Sequence, residues 1–394
     1  MTIVIVGGGL AGARTAQALR DQGFDGDVVL VAGERHHPYE RPPLSKGYLG
    51  GKDGRSSFAA FPDGWYAEHR IDLRTGVTAT AVDREARRVV LDDGSSVDYS
   101  QVVLATGSRP RRLDVPGAES ALHLRTVEDS DRLRESFRAG ERLVVVGAGW
   151  IGLEVASIAR QAGVGVTVVH SSRVPLRRAL GPEVARVFVA LHEENGVVFR
   201  FDAEVVEITA DGVRLGDGTT LPAEHVLVAV GAEPNAELAS DAGLEVDDGI
   251  VVDATLRTAD PDVFAVGDVA NAYHPVLERY LRVEHWANAT GQPATVAAAI
   301  LDRGASYQEQ PYSFTDQYDL GMEFVGTIDG YDRVVFRGDV DGREFIAFWL
   351  KDGVVLAGMN VNVWDVSERI RALIGTSPDL DRLTGAGVGS SLGL

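Results

Sequence analysis

The sequence predicts an α/β protein with two βαβ modules and a small α+β domain near its C-terminal end. A short apolar run at 3–6 leads into the glycine-rich turn 7–12, and a helix-like stretch and a second apolar run at 28–31 follow. The same pattern recurs over residues 143–169. Continuous apolar strands are typical of parallel sheets covered on both faces, and a repeated module predicts two such domains.

Each module also contains a later apolar strand that ends in a glycine turn, at 102–107 and at 226–231. From about residue 313 this pattern gives way to short β-like runs, with a helix expected near 366–374. The C-terminal region is therefore predicted to be a separate α+β domain. The expected boundaries are 1–109 with 233–310 for the first domain, 110–232 for the second, and 311–394 for the third, with a loose tail at 385–394.

Composition and charge narrow the classes of partner. The net charge is −20, from 38 basic and 58 acidic residues, which argues against nucleic acids and anionic membranes. No apolar run approaches the roughly 18 residues of a membrane span. The first residues lack the basic region and cleavage site of a signal peptide. We therefore expect a cytoplasmic protein, either a monomer or a homodimer.

The chain contains no cysteine. A thiol–disulfide relay, a cysteine-ligated metal and a peroxide-reducing sulfenate are all excluded. The nine histidines show no metal-ligand spacing, so no metal site is expected.

The two glycine turns have the Gly-x-Gly-x-x-Gly spacing. The first glycine permits a tight turn, the second lets the backbone approach a pyrophosphate, and the third lets helix and strand pack closely. Glycines that serve packing alone are the alternative, but two turns in equivalent places favour two dinucleotide sites. The glycines are Gly7, Gly9 and Gly12 in the first turn and Gly147, Gly149 and Gly152 in the second.

An acidic residue is expected after the second strand of each module, where it binds ribose hydroxyls. Glu34 is well placed for this role in the first module, and a solvated loop glutamate is the alternative. In the second module His170 replaces the acid, and Arg173 and Arg178 follow. Arginines would bind the 2′-phosphate of NADPH, so NADPH is plausible, alone or alongside NADH. The alternative is that these arginines are ordinary surface charge.

Five further segments follow in order: Pro-Tyr-Glu-Arg-Pro-Pro-Leu-Ser-Lys at 38–46, Ala-Thr-Gly at 105–107, Gly-Ala-Glu-Pro-Asn at 231–235, Val-Phe-Ala-Val-Gly-Asp at 263–268 and Arg-Val-Glu-His-Trp-Ala-Asn-Ala at 282–289. In these segments the chain resembles the oxygenase-type FAD-dependent ferredoxin reductases. That family includes putidaredoxin-reductase-like and rubredoxin-reductase-like enzymes and is related to apoptosis-inducing factor. The resemblance implies two Rossmann-like domains in a glutathione-reductase-like FAD/NAD(P) architecture, with FAD bound by the first and NAD(P)H by the second.

The resemblance also implies roles for individual residues. Lys46 would hydrogen-bond near flavin N5, and Asp268 would accept from the ribityl chain, although it could also cap a helix beginning near 269. Glu154 would lie where nicotinamide enters, although a glutamate so near a helix start also suits the helix dipole. The residues implied in catalysis are Lys46, Glu154, Glu284 and Trp286.

The implied cofactor contacts form two groups. Those for FAD are Gly7, Gly9, Gly12, Glu34, Arg41, Pro43, Lys46, Ala105, Thr106, Gly107, Asp268 and Trp286. Those for NAD(P)H are Gly147, Gly149, Ile151, Gly152, Glu154, His170, Arg173, Arg178 and Gly231.

The implied activity is electron transfer from NAD(P)H through FAD to a ferredoxin-type iron–sulfur carrier of an oxygenase system. Reduction of a small acceptor, such as a quinone or a radical, is an alternative, as is a redox-sensing interaction protein like apoptosis-inducing factor. Two tryptophans that many members carry are replaced here by Tyr312 and Phe314. An acidic ferredoxin would also need a local basic patch, for which the candidates are Arg109, Arg111 and Arg112, or Arg177 and Arg178.

Overall fold

The computed structural model describes residues 1–384, so the expected tail at 385–394 lies outside the described residues. The chain forms two compact units. The first comprises Met1–Arg41, Gly54–Arg109 and Ala232–Glu309, and the second comprises Pro42–Asp53, Pro110–Gly231 and the residues from Gln310 onward. The segment Pro42–Asp53 thus belongs to the second unit, whereas the expected boundaries place it with the first. The further division of the second unit into two domains stays a prediction.

A parallel five-stranded sheet forms the centre of the first unit. Four of its strands are buried along almost their whole length, which explains their apolar sequences, whereas the edge strand Ile71–Thr75 is buried only at Ile71. In order across the sheet they are Val263–Ala265, Gln101–Leu104, Thr2–Val6, Asp27–Ala32 and Ile71–Thr75.

Helices and smaller sheets complete the first unit. The helices are Leu10–Asp21, Trp65–Glu68, Glu237–Asp241 and Trp286–Ile300, with 3₁₀ turns at Arg55–Phe58 and Gly267–Val269. The smaller sheets are Ala79–Asp83 with Arg88–Leu91 and Ser96–Asp98, Ile250–Val252 with Ala270–His274 and Arg279–Arg282, and Ser108–Pro110 with Ala232–Pro234. The prediction of a helix beginning near Val269 is wrong, because the 3₁₀ turn leads directly into the strand Ala270–His274.

The second unit repeats the parallel arrangement with four strands, in the order Val198–Arg200, Gly165–Val169, Arg142–Val146 and His225–Val228. Its helices are Val127–Glu135, Trp150–Gln161 and Arg177–Glu194, the last kinked at Gly181 and Pro182, with 3₁₀ turns at Pro42–Ser45 and Ala118–Ser120. A three-stranded antiparallel sheet joins Val205–Thr209, Gly212–Leu215 and Thr220–Pro222.

The C-terminal part of the second unit is a five-stranded antiparallel sheet. Its strands in order are Tyr312–Gln317, Leu320–Gly326, Val354–Val361, Glu344–Lys351 and Arg333–Asp339, followed in the chain by helices Ser367–Leu373 and Leu380–Thr384. The predicted fold class, two Rossmann-like modules and a small α+β part, is confirmed. No helix within residues 1–384 has the length and apolar character that a bilayer crossing requires.

Candidate cofactor sites

The first glycine loop joins strand Thr2–Val6 to helix Leu10–Asp21 in the first unit. Gly7 has a φ of +124°, and a Cβ there would lie 2.1 Å from the carbonyl oxygen of Ala105. A Cβ on Gly12 would lie 2.0 Å from the carbonyl oxygen of Gly7. The turn therefore requires that both positions lack a side chain.

Gly9 differs from these two glycines because it faces open space. The described residues place no atom within 4 Å of a Cβ built on Gly9. The helix has Gly9 as its N-cap and therefore no side-chain cap, and its first turn contains no acidic residue. The free backbone N–H groups at the start of a helix attract anions. The loop thus fits the pyrophosphate of a dinucleotide.

Glu34 follows strand Asp27–Ala32 by two residues and is half-buried. Its carboxylate accepts hydrogen bonds from the Tyr39 hydroxyl at 2.5 Å and from Nη2 of Arg41 at 2.7 Å. A carboxylate offers about four lone-pair positions. Glu34 therefore retains acceptor capacity for ribose hydroxyls while it also holds the Arg41 guanidinium.

The segment Ala105, Thr106 and Gly107 continues the strand Gln101–Leu104 at the same sheet edge as the glycine loop. The Thr106 hydroxyl donates to the carbonyl oxygen of Asn235 at 2.6 Å, and Nδ2 of Asn235 donates to the carbonyl oxygen of Thr106 at 2.8 Å. These reciprocal bonds fix the conformation of the segment beside the loop.

Asp268 lies in a turn that approaches the first helix. A Cβ on Gly267 would lie 2.9 Å from the Cβ of Ala11, so the turn contacts the start of that helix. The Ser108 hydroxyl donates to Oδ2 of Asp268 at 2.9 Å, and the buried Gln292 accepts from the Gly267 N–H at 2.7 Å. The helix Leu10–Asp21, the strand Ser108–Pro110 and the helix Trp286–Ile300 thus hold the turn with Asp268 beside the glycine loop.

Glu284 and Trp286 also belong to the first unit. The Glu284 carboxylate forms an ion pair with the Arg282 guanidinium. Trp286 is the first residue of helix Trp286–Ile300, which packs against helix Leu10–Asp21, and it is 36% exposed. Both side chains are exposed, Glu284 just before this helix and Trp286 at its start.

The second unit repeats the geometry of the glycine loop between strand Arg142–Val146 and helix Trp150–Gln161. Gly147 has a φ of +107°, and Cβ atoms on Gly147 and Gly152 would lie 2.2 Å from the carbonyl oxygens of Ala229 and Gly147, respectively. At Gly149 the part of the chain that the structure describes places no atom within 4 Å of a Cβ. This loop fits a second dinucleotide for the same reasons as the first.

His170 stands at the end of strand Gly165–Val169, where an acidic residue was expected. Its Nδ1 accepts from the Ala148 N–H at 3.4 Å, and its Nε2 faces the Ser172 hydroxyl at 3.0 Å. Burial lowers the pKa of His170, opposed by a contact with the backbone of Val174. The imidazole is therefore neutral at pH 7, and it would neither attract nor repel a 2′-phosphate by charge.

The remaining nicotinamide-site candidates are exposed or lie at the sheet edge. Arg173 and Arg178 are exposed on either side of the start of helix Arg177–Glu194. Ile151, in the first turn after the glycine loop, is 45% exposed. Gly231 has a φ of +110°, and its carbonyl oxygen accepts a hydrogen bond from the backbone N–H of Arg111 at 2.9 Å.

Glu154 is the most constrained of the candidate catalytic residues. It lies on helix Trp150–Gln161 and is 3% exposed. Its Oε1 accepts from Nζ of Lys46 at 2.7 Å and from the Thr315 hydroxyl at 2.5 Å, and its Oε2 accepts from the Ser45 hydroxyl. Lys46 and Glu154, which the sequence places far apart, thus form a buried ion pair within the second unit.

Pro43 and Lys46 belong to the segment Pro42–Asp53, which opens with a 3₁₀ turn at Pro42–Ser45. The Leu44 carbonyl oxygen accepts from the Ser130 hydroxyl at 2.8 Å, and this holds the turn on the second unit. The Lys46 ammonium lies 5.3 Å from the centroid of the Phe314 ring. A cation over an aromatic face is attracted by the ring quadrupole.

Several residues in contact with the candidates were not singled out from the sequence. Ser45 and Asn235 lie within the 38–46 and 231–235 segments and could have been selected with them. Nothing local distinguishes the others, because their partners are distant in the chain. They are Ser108 in the first unit and Thr315 in the second.

Comparison with known proteins agrees with this geometry. The pattern of the pyridine nucleotide-disulphide oxidoreductases matches residues 1–293, and that of the reductase C-terminal family matches residues 312–387. The chain is 40% identical to putidaredoxin reductase of Pseudomonas putida, over 91% of this chain and 88% of that protein. The chain belongs to the oxygenase-type ferredoxin reductases. This family uses FAD and NAD(P)H, which fits the two open glycine loops.

Two further comparisons extend over nearly the whole chain. The ferredoxin–NAD(+) reductase component of the anthranilate 1,2-dioxygenase system of Burkholderia cepacia is 41% identical, over 98% of this chain and 97% of that protein. The reductase fold matches a chain in the crystal structure of the covalent putidaredoxin reductase–putidaredoxin complex with a TM-score of 0.93 at 37% identity, over 97% and 95% of the two chains.

Proposed function

We propose that this reductase takes electrons from NAD(P)H and passes them through FAD to a ferredoxin-type iron–sulfur carrier of an oxygenase system. The observation that carries the proposal is the pair of glycine loops, each with its second glycine open and its helix start free of side-chain caps among the described residues. Relatives named as reductases of dioxygenase systems support the choice of acceptor. With no cysteine in the chain, a dithiol cannot carry the electrons.

In the first unit, the residues that would hold FAD surround one loop. The free N–H groups after Gly9 would bind the pyrophosphate, Glu34 would accept from the ribose, and Asp268 would accept from the ribityl chain. Bound FAD supplies the step from a two-electron donor to one-electron acceptors. The protein supplies the binding, the orientation and the charge around it.

In the second unit, the residues that would hold the coenzyme surround Gly149. Glu154 has no exposed edge with which to bind a ligand strongly, so we assign it to holding Lys46 in place. Lys46 would in turn act on the flavin, as the family motif implies. Its ammonium is confined by Glu154 on one side and by the face of Phe314 on another.

The choice of coenzyme tests the role of Arg173. We expect Arg173→Ala to raise the dissociation constant of NADPH about tenfold, the loss of one charge-assisted bond, and to leave that of NADH within about twofold. Binding is measured by the absorbance change on titrating the oxidised enzyme with NADP⁺ or NAD⁺. Equal losses for both coenzymes would remove Arg173 from the 2′-phosphate site.

A matched control for that substitution is Arg138→Ala. Arg138 is 76% exposed beside Glu141 and precedes strand Arg142–Val146, whereas the glycine loop follows that strand. It therefore lies at the opposite edge of the sheet. The control removes the same charge and is expected to leave both dissociation constants unchanged.

The acceptor is tested by steady-state turnover of the purified flavoprotein with NADH or NADPH. We expect oxygenase ferredoxins, putidaredoxin among them, to be reduced faster than a benzoquinone under the same conditions. A rate with the quinone above that with every ferredoxin would replace the proposal by a small-acceptor reductase. A long-lived reduced flavin that no acceptor reoxidises quickly would instead indicate a redox-sensing protein.

Docking of an acidic ferredoxin would need exposed positive charge. Arg109 is a poor candidate, because its guanidinium contacts Glu233 at 2.7 Å and Glu237 at 2.6 Å. The adjacent pairs Arg111–Arg112 and Arg177–Arg178 are both exposed and are therefore better candidates than Arg109. We expect the reductase to work in the cytoplasm, where NAD(P)H is available, as a monomer or a homodimer.

A further inference from the structure

A continuous chain of buried hydrogen bonds extends from Glu154 through the second unit. The Thr315 hydroxyl contacts Oε1 of Glu154 at 2.5 Å, and Nε2 of Gln317 contacts the Thr315 hydroxyl at 3.1 Å. Oε1 of Gln317 lies 2.8 Å from Nε2 of His192, whose Nδ1 lies 3.4 Å from the Tyr318 hydroxyl. Every member up to His192 is at most 3% exposed.

The carboxylate at one end fixes the direction of every bond in this chain. An ionised carboxylate can only accept, so Thr315 must donate to Glu154 and accept from the amide N–H of Gln317. The amide oxygen of Gln317 then faces His192, whose Nε2 must carry the hydrogen. Nδ1 of His192 is left as the acceptor for Tyr318. All donors therefore point toward Glu154.

Three elements are joined by the chain. Thr315 and Gln317 lie on strand Tyr312–Gln317, Glu154 lies on helix Trp150–Gln161, and His192 lies on helix Arg177–Glu194. The strand packs against the first of these helices. Because each side chain has a buried partner on the next element, none can rotate without leaving a polar group unpaired, which is costly in a dry interior.

We infer that Thr315, Gln317 and His192 are positioning residues for Glu154, and that through Glu154 they set the location of the Lys46 ammonium. The inference rests on the proposed function, in which Lys46 acts on the flavin. Of the two oxygens of Glu154, Oε1 is shared by Lys46 and Thr315. Loss of the Thr315 bond frees that oxygen to turn, and the ammonium moves with it.

The decisive test compares Thr315→Val with Thr315→Ser, because valine keeps the shape and loses the hydroxyl while serine keeps the hydroxyl. For the FAD-loaded enzyme we expect the limiting rate of flavin reduction by NAD(P)H in stopped-flow to fall about tenfold in Thr315→Val. The coenzyme dissociation constant should stay within about twofold. Thr315→Ser should reduce at nearly the parent rate. Gln317→Met, one bond further away, should show a smaller fall of about threefold.

Asn360→Leu is a matched control for a purely structural effect. Asn360 is a buried amide of the same antiparallel sheet, and it donates to the carboxylate of Glu323 at 3.0 Å rather than to Glu154. The Asn360→Leu substitution should lower the melting temperature without changing the rate of flavin reduction. If Thr315→Val and Asn360→Leu behave alike in both measurements, the positioning role is refuted.

The same experiment separates this inference from the proposed function. A parent-like reduction rate in Lys46→Met would refute the role of Lys46, and the positioning role would fall with it. If Lys46→Met reduces the flavin slowly while Thr315→Val reduces it at the parent rate, the positioning role alone is refuted.

Discussion

Lys46→Met is expected to lower the free energy of unfolding by about 3–5 kcal/mol, the usual loss when one partner of a buried ion pair is removed. The side chains of Lys46 and Glu154 are 16% and 4% exposed, so the carboxylate left behind would be an almost fully buried charge without its cation. Among residues 1–384, the Glu154 carboxylate would retain only the Ser45 and Thr315 hydroxyls as donors. The loss is measured by urea unfolding of the FAD-loaded protein.

The double substitution Lys46→Met with Glu154→Gln separates stability from catalysis. Because a neutral amide leaves no buried charge, most of the stability should return. Flavin reduction should remain slow, since the ammonium is still absent. Lys52→Met, at an exposed lysine of the same segment, should change neither measurement. A double variant as unstable as Lys46→Met would show that the ion pair is not the source of the loss.

The two parallel sheets were predictable because their signals are local. A continuous apolar strand followed by Gly-x-Gly-x-x-Gly restricts the backbone within about ten residues, and the geometry at Gly7 and Gly147 follows from positions that cannot carry a side chain. The same locality explains the one error in this region. Asp268 looked like a helix cap, but strand Ala270–His274 pairs with two other strands, and that tertiary pairing overrides the local preference.

The surroundings of the candidate catalytic residues were not predictable, because they depend on distant pairs. Thr315 and Glu154 are 161 residues apart in the sequence. The charge that a basic segment presents at the surface also depends on residues distant in the sequence. Arg109 belongs to a basic run in the sequence, yet the fold brings Glu233 and Glu237 to it. A cluster of like charges in a sequence therefore does not identify a charged surface until its partners are known.

His192 should make the stability of the reductase depend on pH. Burial lowers the pKa of His192 to about 4, and its hydrogen bond to Gln317 only partly opposes this shift. In the unfolded chain the same group titrates near 6.5. Between these values the unfolded state binds more protons than the folded state. The stability that the neutral imidazole contributes is therefore complete above pH 6.5 and is lost as the pH falls toward 4.

The expected loss of stability follows from the difference between the folded and unfolded pKa values of His192. At pH 5 the unfolded imidazole is protonated and the folded one is still largely neutral, so the loss relative to pH 7 is about 2 kcal/mol. Acidic groups also titrate on the way down, so the measurement is a difference between variants. His192→Gln removes the titrating group, and its free energy of unfolding should fall by about 2 kcal/mol less between pH 7 and pH 5 than that of the parent.

His37→Gln is the control for that comparison, because it makes the same change at an exposed histidine outside the hydrogen-bond chain. Parallel curves for the parent and His192→Gln would mean that the pKa of His192 is the same in the folded and unfolded states, so that the folded imidazole also takes up a proton between pH 7 and pH 5. A protonated Nδ1 could no longer accept from the Tyr318 hydroxyl, although Nε2 would still donate to Gln317. The pH dependence therefore also reports whether His192 stays neutral, as the hydrogen-bond chain requires.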